Sequence, residues 1–166
     1  MSDPRPPIAR VLRDPVLLMA FGFGAGLAKH GPGTWGSLLA LPLAAVCLAD
    51  PWVYAAVTLL VSLVGIPICG GAARRLGVHD HSGIVWDEIA GQMIACAPLF
   101  LMPSSMTLSA GLGLAFVLFR LFDIAKPWPI RAVDRGVHGG LGIMLDDVLA
   151  GIAAAGLLLL ALHWIG

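Results

Sequence analysis

Residues 52–73 read WVYAAVTLLVSLVGIPICGGAA, an apolar run without a single charged residue. The hydrocarbon core of a bilayer is about 30 Å thick and takes about 20 apolar residues in helical form. This run meets that length, so its first reading is a membrane-spanning helix. Residues 106–125 and 148–165 are similarly long and apolar. Residues 35–49 are shorter, and residues 89–102 are short unless Ile84 and Val85 lengthen the run. The expectation is an all-α, polytopic membrane helix bundle of about five spans. A further apolar run, 16–27, is broken by Gly22, Gly24 and Gly26 and is expected to be an interfacial or re-entrant helix. Residues 1–15 read as a polar N-terminal segment, and 16–166 as one helical membrane domain.

Composition agrees with that start. The 166 residues are 58% hydrophobic and 12% charged, with a mean hydropathy of +0.90. Soluble domains are roughly 45–50% apolar and about 25% charged. A soluble domain and a disordered chain are therefore both excluded. Ten basic and ten acidic residues cancel, and no basic stripe of the kind nucleic acid requires is present. Cys47, Cys69 and Cys96 each lie in an apolar run. Their odd number and the lack of CxxC point to buried packing, not to disulfides or zinc. The polar start, with Pro4, Pro6 and Pro7, lacks the pattern of a secretory signal.

The few charges are not scattered. The connections at Asp50-Pro51 and Pro103-Ser104-Ser105 carry no Lys or Arg. Arg5, Arg10, Arg13, Lys29, Arg74, Arg75, Arg120, Lys126, Arg131 and Arg135 all fall on the opposite side of a five-span arrangement. The positive-inside rule makes that side cytoplasmic, with the N-terminus inside and the C-terminus outside. Trp52, Tyr54 and Trp164 read as interface anchors. Arg5, Arg10, Arg13, Arg74 and Arg75 read as anchors to lipid headgroups.

Five acids sit at the inner ends of three spans. Asp87 and Glu88 open the third span and Asp146 and Asp147 open the fifth, where the helix dipole favours them. Asp123 lies near the C-terminal end of the fourth span, where the dipole disfavours it. Arg120 and Lys126, three residues to either side, are within reach to offset its charge. Such a carboxylate set suits a hard divalent cation, Mg²⁺ or Mn²⁺, shared with a substrate phosphate. Lys126 and Arg131 follow closely and suit phosphate. Lys29 and His30 lead into Gly31-Pro32-Gly33-Thr34, where bare backbone N–H groups and a hydroxyl can meet an anion. The bland alternative there is a turn with Thr34 as helix cap. His79-Asp80-His81 reads as a solvated loop.

Four stretches then carry a family resemblance: GPGTWGS at 31–37, IVWDE at 84–88, FRLFDIAKPWPIR at 119–131 and VHGGLGIMLDD at 137–147. Together they resemble the phosphatidylglycerophosphatase A family over residues 21–151. The resemblance implies an all-helical, Mg²⁺-dependent lipid phosphatase of the bacterial inner membrane, with its active site facing the cytoplasm. Its substrate would be phosphatidylglycerophosphate, and its products phosphatidylglycerol and phosphate. On this reading the metal ligands come from among Asp87, Glu88, Asp123, Asp146 and Asp147, with one acid of each adjacent pair facing the bundle interior and either member open to that role. Lys29, His30, Gly33, Thr34, Lys126 and Arg131 bind the phosphate. Asp123, Lys126, Arg131, Asp147 and His138 act in catalysis, with His30 or His138 protonating the leaving oxygen. The nucleophile is water or an aspartate, Asp123 first. The signatures of CDP-alcohol phosphotransferases and of vanadium-type lipid phosphatases are absent. A small cation transporter would need polar residues at mid-membrane, and a purely structural subunit leaves the grouping of acids with bases unexplained.

Overall fold

The structure, a computed structural model, describes residues 6–78 and 81–165. Arg5, His79 and Asp80 lie outside the described residues. Among the described residues there are eight α-helices: α1 (Ile8–Arg13), α2 (Pro15–Ala20), α3 (Pro32–Cys47), α4 (Pro51–Leu76), α5 (Trp86–Cys96), α6 (Leu108–Ala125), α7 (Ile130–Gly136) and α8 (Gly139–Ile165). No strand is present among the described residues.

Local chemistry sets the ends of the long helices. Asp50 accepts from the N–H groups of Trp52 and Val53, at 2.8 and 3.1 Å, and Pro51 takes the first position of α4. Gly77, in the left-handed region at φ 72°, ends α4. Its N–H and that of Val78 return to the carbonyls of Arg74 and Ala73. Thr107 caps α6 by accepting from the Ala110 N–H.

Three helices, α4, α6 and α8, are long and apolar enough to cross a membrane. Only 28%, 17% and 28% of their most apolar stretches are buried in the protein. Leu59, Leu60, Leu63, Val117 and Leu160 face outward instead, as lipid contact requires. Helix α3 has 16 residues, and α5 has 11 before a 3₁₀ turn at Ala97–Leu101 that contains Pro98. Helix α5 packs against α3, α4, α6 and α8. It is the hub of the bundle, and its Ile89, Ala90, Met93, Ala95 and Cys96 are buried.

Glycines set the closest helix approaches. Gly151 of α8 lies on the Gly91 carbonyl of α5, and a Cβ at Gly91 would strike Phe119 of α6. Gly140 lies on the Ile66 carbonyl and Gly70 of α4. This last contact corrects the expected start of the fifth span. The glycine-rich stretch before residue 148 is helix, because only glycine fits against α4 there. Asp146 and Asp147 therefore stand two turns inside α8 and gain nothing from its N-terminal dipole.

Cys47, Cys69 and Cys96 are buried and free, as expected. Trp52 and Trp164 are exposed to 83% and 86%, but Tyr54 is buried. Its hydroxyl donates to the Met93 carbonyl and its ring meets Phe100 edge-on at 5.3 Å. Tyr54 ties α4 to α5 and is no interface anchor. Two of the arginines expected to anchor to headgroups, Arg10 and Arg75, are partly structural too. Arg75 pairs with Asp14 at 2.9 Å, and Arg10 donates to the Arg75 carbonyl at 2.6 Å. These contacts dock α1 and α2 on the end of α4, with Val11 and Leu17 fully buried.

Candidate active site

The first turn of α5 presents Asp87 and Glu88, and α8 presents Asp147. One ligand oxygen from each lies within 4.8 Å of the other two. Asp87 and Asp147 are 8% and 3% exposed. Buried carboxylates at this spacing repel one another, and burial deprives them of water. Three hard oxygen donors, with Glu88 Oε2 buried and unpartnered among the described residues, fit a divalent cation of the Mg²⁺ or Mn²⁺ type.

The remaining two expected ligands stand beside this trio with basic partners of their own. Asp123 lies against Asp147 and pairs with Arg120 one turn back on α6. Arg120 also reaches Glu88 at 4.0 Å and donates to the Ser37 hydroxyl at 3.5 Å. Asp146 accepts from Lys126 at 2.5 Å, and Asp134 of α7 accepts from the same ammonium group at 2.6 Å. Of the two neighbours open to Asp123, Arg120 is thus its ion-pair partner and Lys126 turns elsewhere.

Lys126 ends α6 in the left-handed region, at φ 40°. A side chain there costs about 1–2 kcal/mol. The conformation carries the ammonium group back between α7 and α8. Burial alone would lower the Lys126 pKa. Its hydrogen bonds and charge pairing with Asp134 and Asp146 outweigh that effect and hold it above the usual lysine range.

Helix α3 closes the site from a third side. Gly31 is its N-cap, left-handed at φ 57°, and Pro32 is its first residue. Thr34 is therefore the third helical residue and not the cap, because the Gly31 conformation already turns the chain into the helix. Gly33 touches the acid site directly. A Cβ there would collide with the Glu88 carboxylate and lie 3.1 Å from Arg120 Nη1.

The other expected residues surround this centre. Arg131 and Arg135 are exposed. With Lys126, Pro127, Trp128 and Ala132 they line a cleft of about 360 Å³. Lys29 and His30 are exposed on the approach to α3, and His138 is exposed just before α8.

Two polar residues were given no role from the sequence, and a third was misplaced. Ser37 is fully buried, donates to the Gly33 carbonyl at 2.9 Å and receives Arg120. Its position four residues beyond Gly33 was the available signal. Gln92, fully buried one turn after Glu88, donates to Cys96 Sγ at 3.3 Å. His81 is 3% exposed and not part of a solvated loop. Its ring lies tilted against Phe21, with ring centroids 5.6 Å apart.

Residues 18–162 match the family model for phosphatidylglycerophosphatase A. A phosphatidylglycerophosphatase A of Escherichia coli (strain K12) is 44% identical over 155 residues, covering 92% of this chain and 87% of that protein. That of Haemophilus influenzae is 41% identical over 155 residues, covering 92% of each. A Bacteroides thetaiotaomicron protein, 36% identical over 146 residues and covering 82% of this chain and 86% of its own, bears a provisional phosphatidylinositol-3-phosphatase name. No solved structure matches the chain. A family match over most of the chain, with two relatives above 40% identity, places this chain in the phosphatidylglycerophosphatase A family.

Proposed function

We infer that the chain hydrolyses the terminal phosphomonoester of phosphatidylglycerophosphate to phosphatidylglycerol and phosphate. The observation that carries this reading is the meeting of Asp87, Glu88 and Asp147 beside two paired bases, in a bundle whose long helices expose apolar faces.

Asp87, Glu88 and Asp147 would hold the metal, with Asp123 and Asp146 next to them. Bound Mg²⁺ or Mn²⁺ supplies charge neutralisation at the phosphoryl oxygens and an activated water. The chain's own residues do the rest. Arg120 fixes Asp123 and faces Glu88, which keeps two carboxylates from turning away. Lys126 neutralises Asp146 and sets the wall of the arginine cleft. Arg131 in that cleft, with the Gly33-Thr34 backbone, receives the phosphoryl group and its developing charge. His30 or His138 gives a proton to the departing glycerol oxygen. An apolar groove of about 560 Å³ between α4 and α5 is lined by Tyr54, Leu59, Ile94, Phe100 and Val148. Val148, which follows Asp147 in α8, is one of its lining residues, and the apolar lining suits an acyl chain of a lipid held at the site.

The proposed setting is the bacterial inner membrane, with the site on the cytoplasmic face. The basic residues gathered at the site's end of the bundle support this orientation. Helix α3 spans about 24 Å, and α5 with its 3₁₀ turn about 26 Å. Both are somewhat short of the bilayer core, and together with α4, α6 and α8 they make up the five segments.

The test is phosphate release by purified protein from phosphatidylglycerophosphate and from phosphatidic acid, with and without Mg²⁺. Metal-dependent release that favours phosphatidylglycerophosphate is expected. Equal turnover of both lipids would overturn the headgroup assignment.

A further inference from the structure

A second polar site lies at the α3 N-terminus, and Asp87, Glu88, Asp123, Asp146 and Asp147 are not among its lining residues. A cavity of about 120 Å³ is lined by Phe21, Lys29, Pro32, His81 and Gly83, among others. His81 is buried, and its Nδ1 accepts from the Gly83 N–H at 2.9 Å. A backbone N–H can only donate, so Nδ1 is unprotonated and the ring proton sits on Nε2. That Nε2–H is buried and has no partner among the described residues. An unsatisfied buried donor costs about 1–3 kcal/mol, and His81 lines the cavity, so an acceptor there that comes within reach of Nε2 offsets that cost.

Three features specify that acceptor as an anion. Pro32 brings the first turn of α3, a 16-residue helix, to the cavity, and helix N-termini favour negative charge. Lys29 adds a cation on the same wall. Among the described residues, no carboxylate lines it. The left-handed Gly31 lets the chain turn between Lys29 and the helix. The volume suits a tetrahedral oxyanion and is too small for a sugar ring with its substituents.

We propose that His81, Lys29 and the N-terminus of α3 form a phosphate subsite separate from the acid trio. The inference rests on the phosphatase reading above and deepens it. Gly33, one residue from Pro32, touches Glu88, so the subsite and the acid site share one helix end. Two sources provide the same chemistry. One is the inner, diester phosphate of phosphatidylglycerophosphate, which phosphatidic acid lacks. The other is the inorganic phosphate released. His81 is a binding residue in either case and donates a hydrogen bond without transferring a proton.

The experiment compares wild type with His81→Ala and Lys29→Ala in detergent. KM and kcat are measured for phosphatidylglycerophosphate and phosphatidic acid, together with product inhibition by inorganic phosphate. If the diester phosphate fills the subsite, His81→Ala raises KM for phosphatidylglycerophosphate about tenfold. In that case kcat and the phosphatidic acid constants change little. If released phosphate fills it, the inhibition constant for phosphate rises about tenfold instead. Lys29 is exposed, so Lys29→Ala should fold and move the same constant in the same direction by a smaller factor. Should His81→Ala fail to fold, ¹⁵N-histidine spectra of the wild type titrated with inorganic phosphate replace it, and the buried ring's Nε2 resonance should shift. Unchanged constants in both variants overturn the subsite, as does the absence of a shift together with unchanged constants in Lys29→Ala. A wild type that hydrolyses neither lipid overturns the phosphatase reading. The spectra still report phosphate binding in that event, so the two failures remain distinct.

Discussion

Lys126 shows how one side chain joins backbone strain to electrostatics. Its left-handed backbone is disfavoured, and its two charge-assisted hydrogen bonds repay that cost. Lys126→Ala should lower stability by about 1.5–3 kcal/mol, since it leaves Asp146 buried without its cation. Lys126→Gly should recover about 1 kcal/mol of that loss, because glycine accepts the left-handed region freely. Thermal unfolding in detergent ranks the two; a glycine variant no more stable than the alanine one refutes the strain argument. The pH behaviour has a definite sign. The folded pKa of Lys126 is raised, so its contribution is fully present below the usual lysine value and is lost only as pH rises past it. A stability profile flat between pH 6 and 9 at wild-type Lys126 is expected from this pair. Gly33 makes a second argument at this scale. Its missing Cβ is the space that Glu88 occupies. Gly33→Ala should cut kcat/KM at least about tenfold, worth about 1.4 kcal/mol, while the fold persists. Full activity in that variant would show that Glu88 has room to move aside.

At the scale of helices, glycine position separates two classes. Gly140 is pressed on the Ile66 carbonyl of α4, and Gly156 has nothing within 4 Å of an added Cβ. Gly140→Val should lower stability by about 1–3 kcal/mol by forcing α8 off α4. Gly156→Ala should be neutral or stabilise α8 by up to about 1 kcal/mol. Melting curves of both variants in one detergent check the contrast; equal shifts would void it. The same glycines explain what could be read of the elements beforehand. Hydropathy alone located α4, α6 and most of α8, because an apolar run needs no partner to be recognised. It missed the first turns of α8, since a glycine-rich stretch reads as loop until Ile66 and Gly70 are seen against it. Tyr54 was misread for the same reason: its partner Met93 is 39 residues away. The acids and bases of the site were legible as residue types gathered at one end of the spans. Their pairing was not, because the choice of Arg120 for Asp123 and of Lys126 for Asp146 depends on how α6, α7 and α8 cross.

For the whole molecule, the charge balance at the site poses a stability problem that a bound divalent cation would resolve. Asp87, Glu88, Asp123, Asp146 and Asp147 converge, while Arg120 and Lys126 are the bases paired into them. Like charges in a partly buried site cost stability unless a cation or protons offset them. A ligand that binds only the folded state stabilises it by RT ln(1 + [L]/Kd), about 2.7 kcal/mol at a hundredfold excess over Kd. Mg²⁺ should therefore raise the unfolding temperature of the wild type, and chelation should lower it. Asp147→Asn removes one of the repelling charges and one of the ligands together. The metal-free variant should melt at or above the metal-free wild type, yet lose both its activity and most of the Mg²⁺-dependent shift. A purely structural acid cluster predicts the opposite: a less stable variant whose melting responds to Mg²⁺ as the wild type does. Differential scanning fluorimetry of both proteins, with Mg²⁺ and with chelator, decides between a bundle held together by these acids and one that carries their repulsion in order to bind metal.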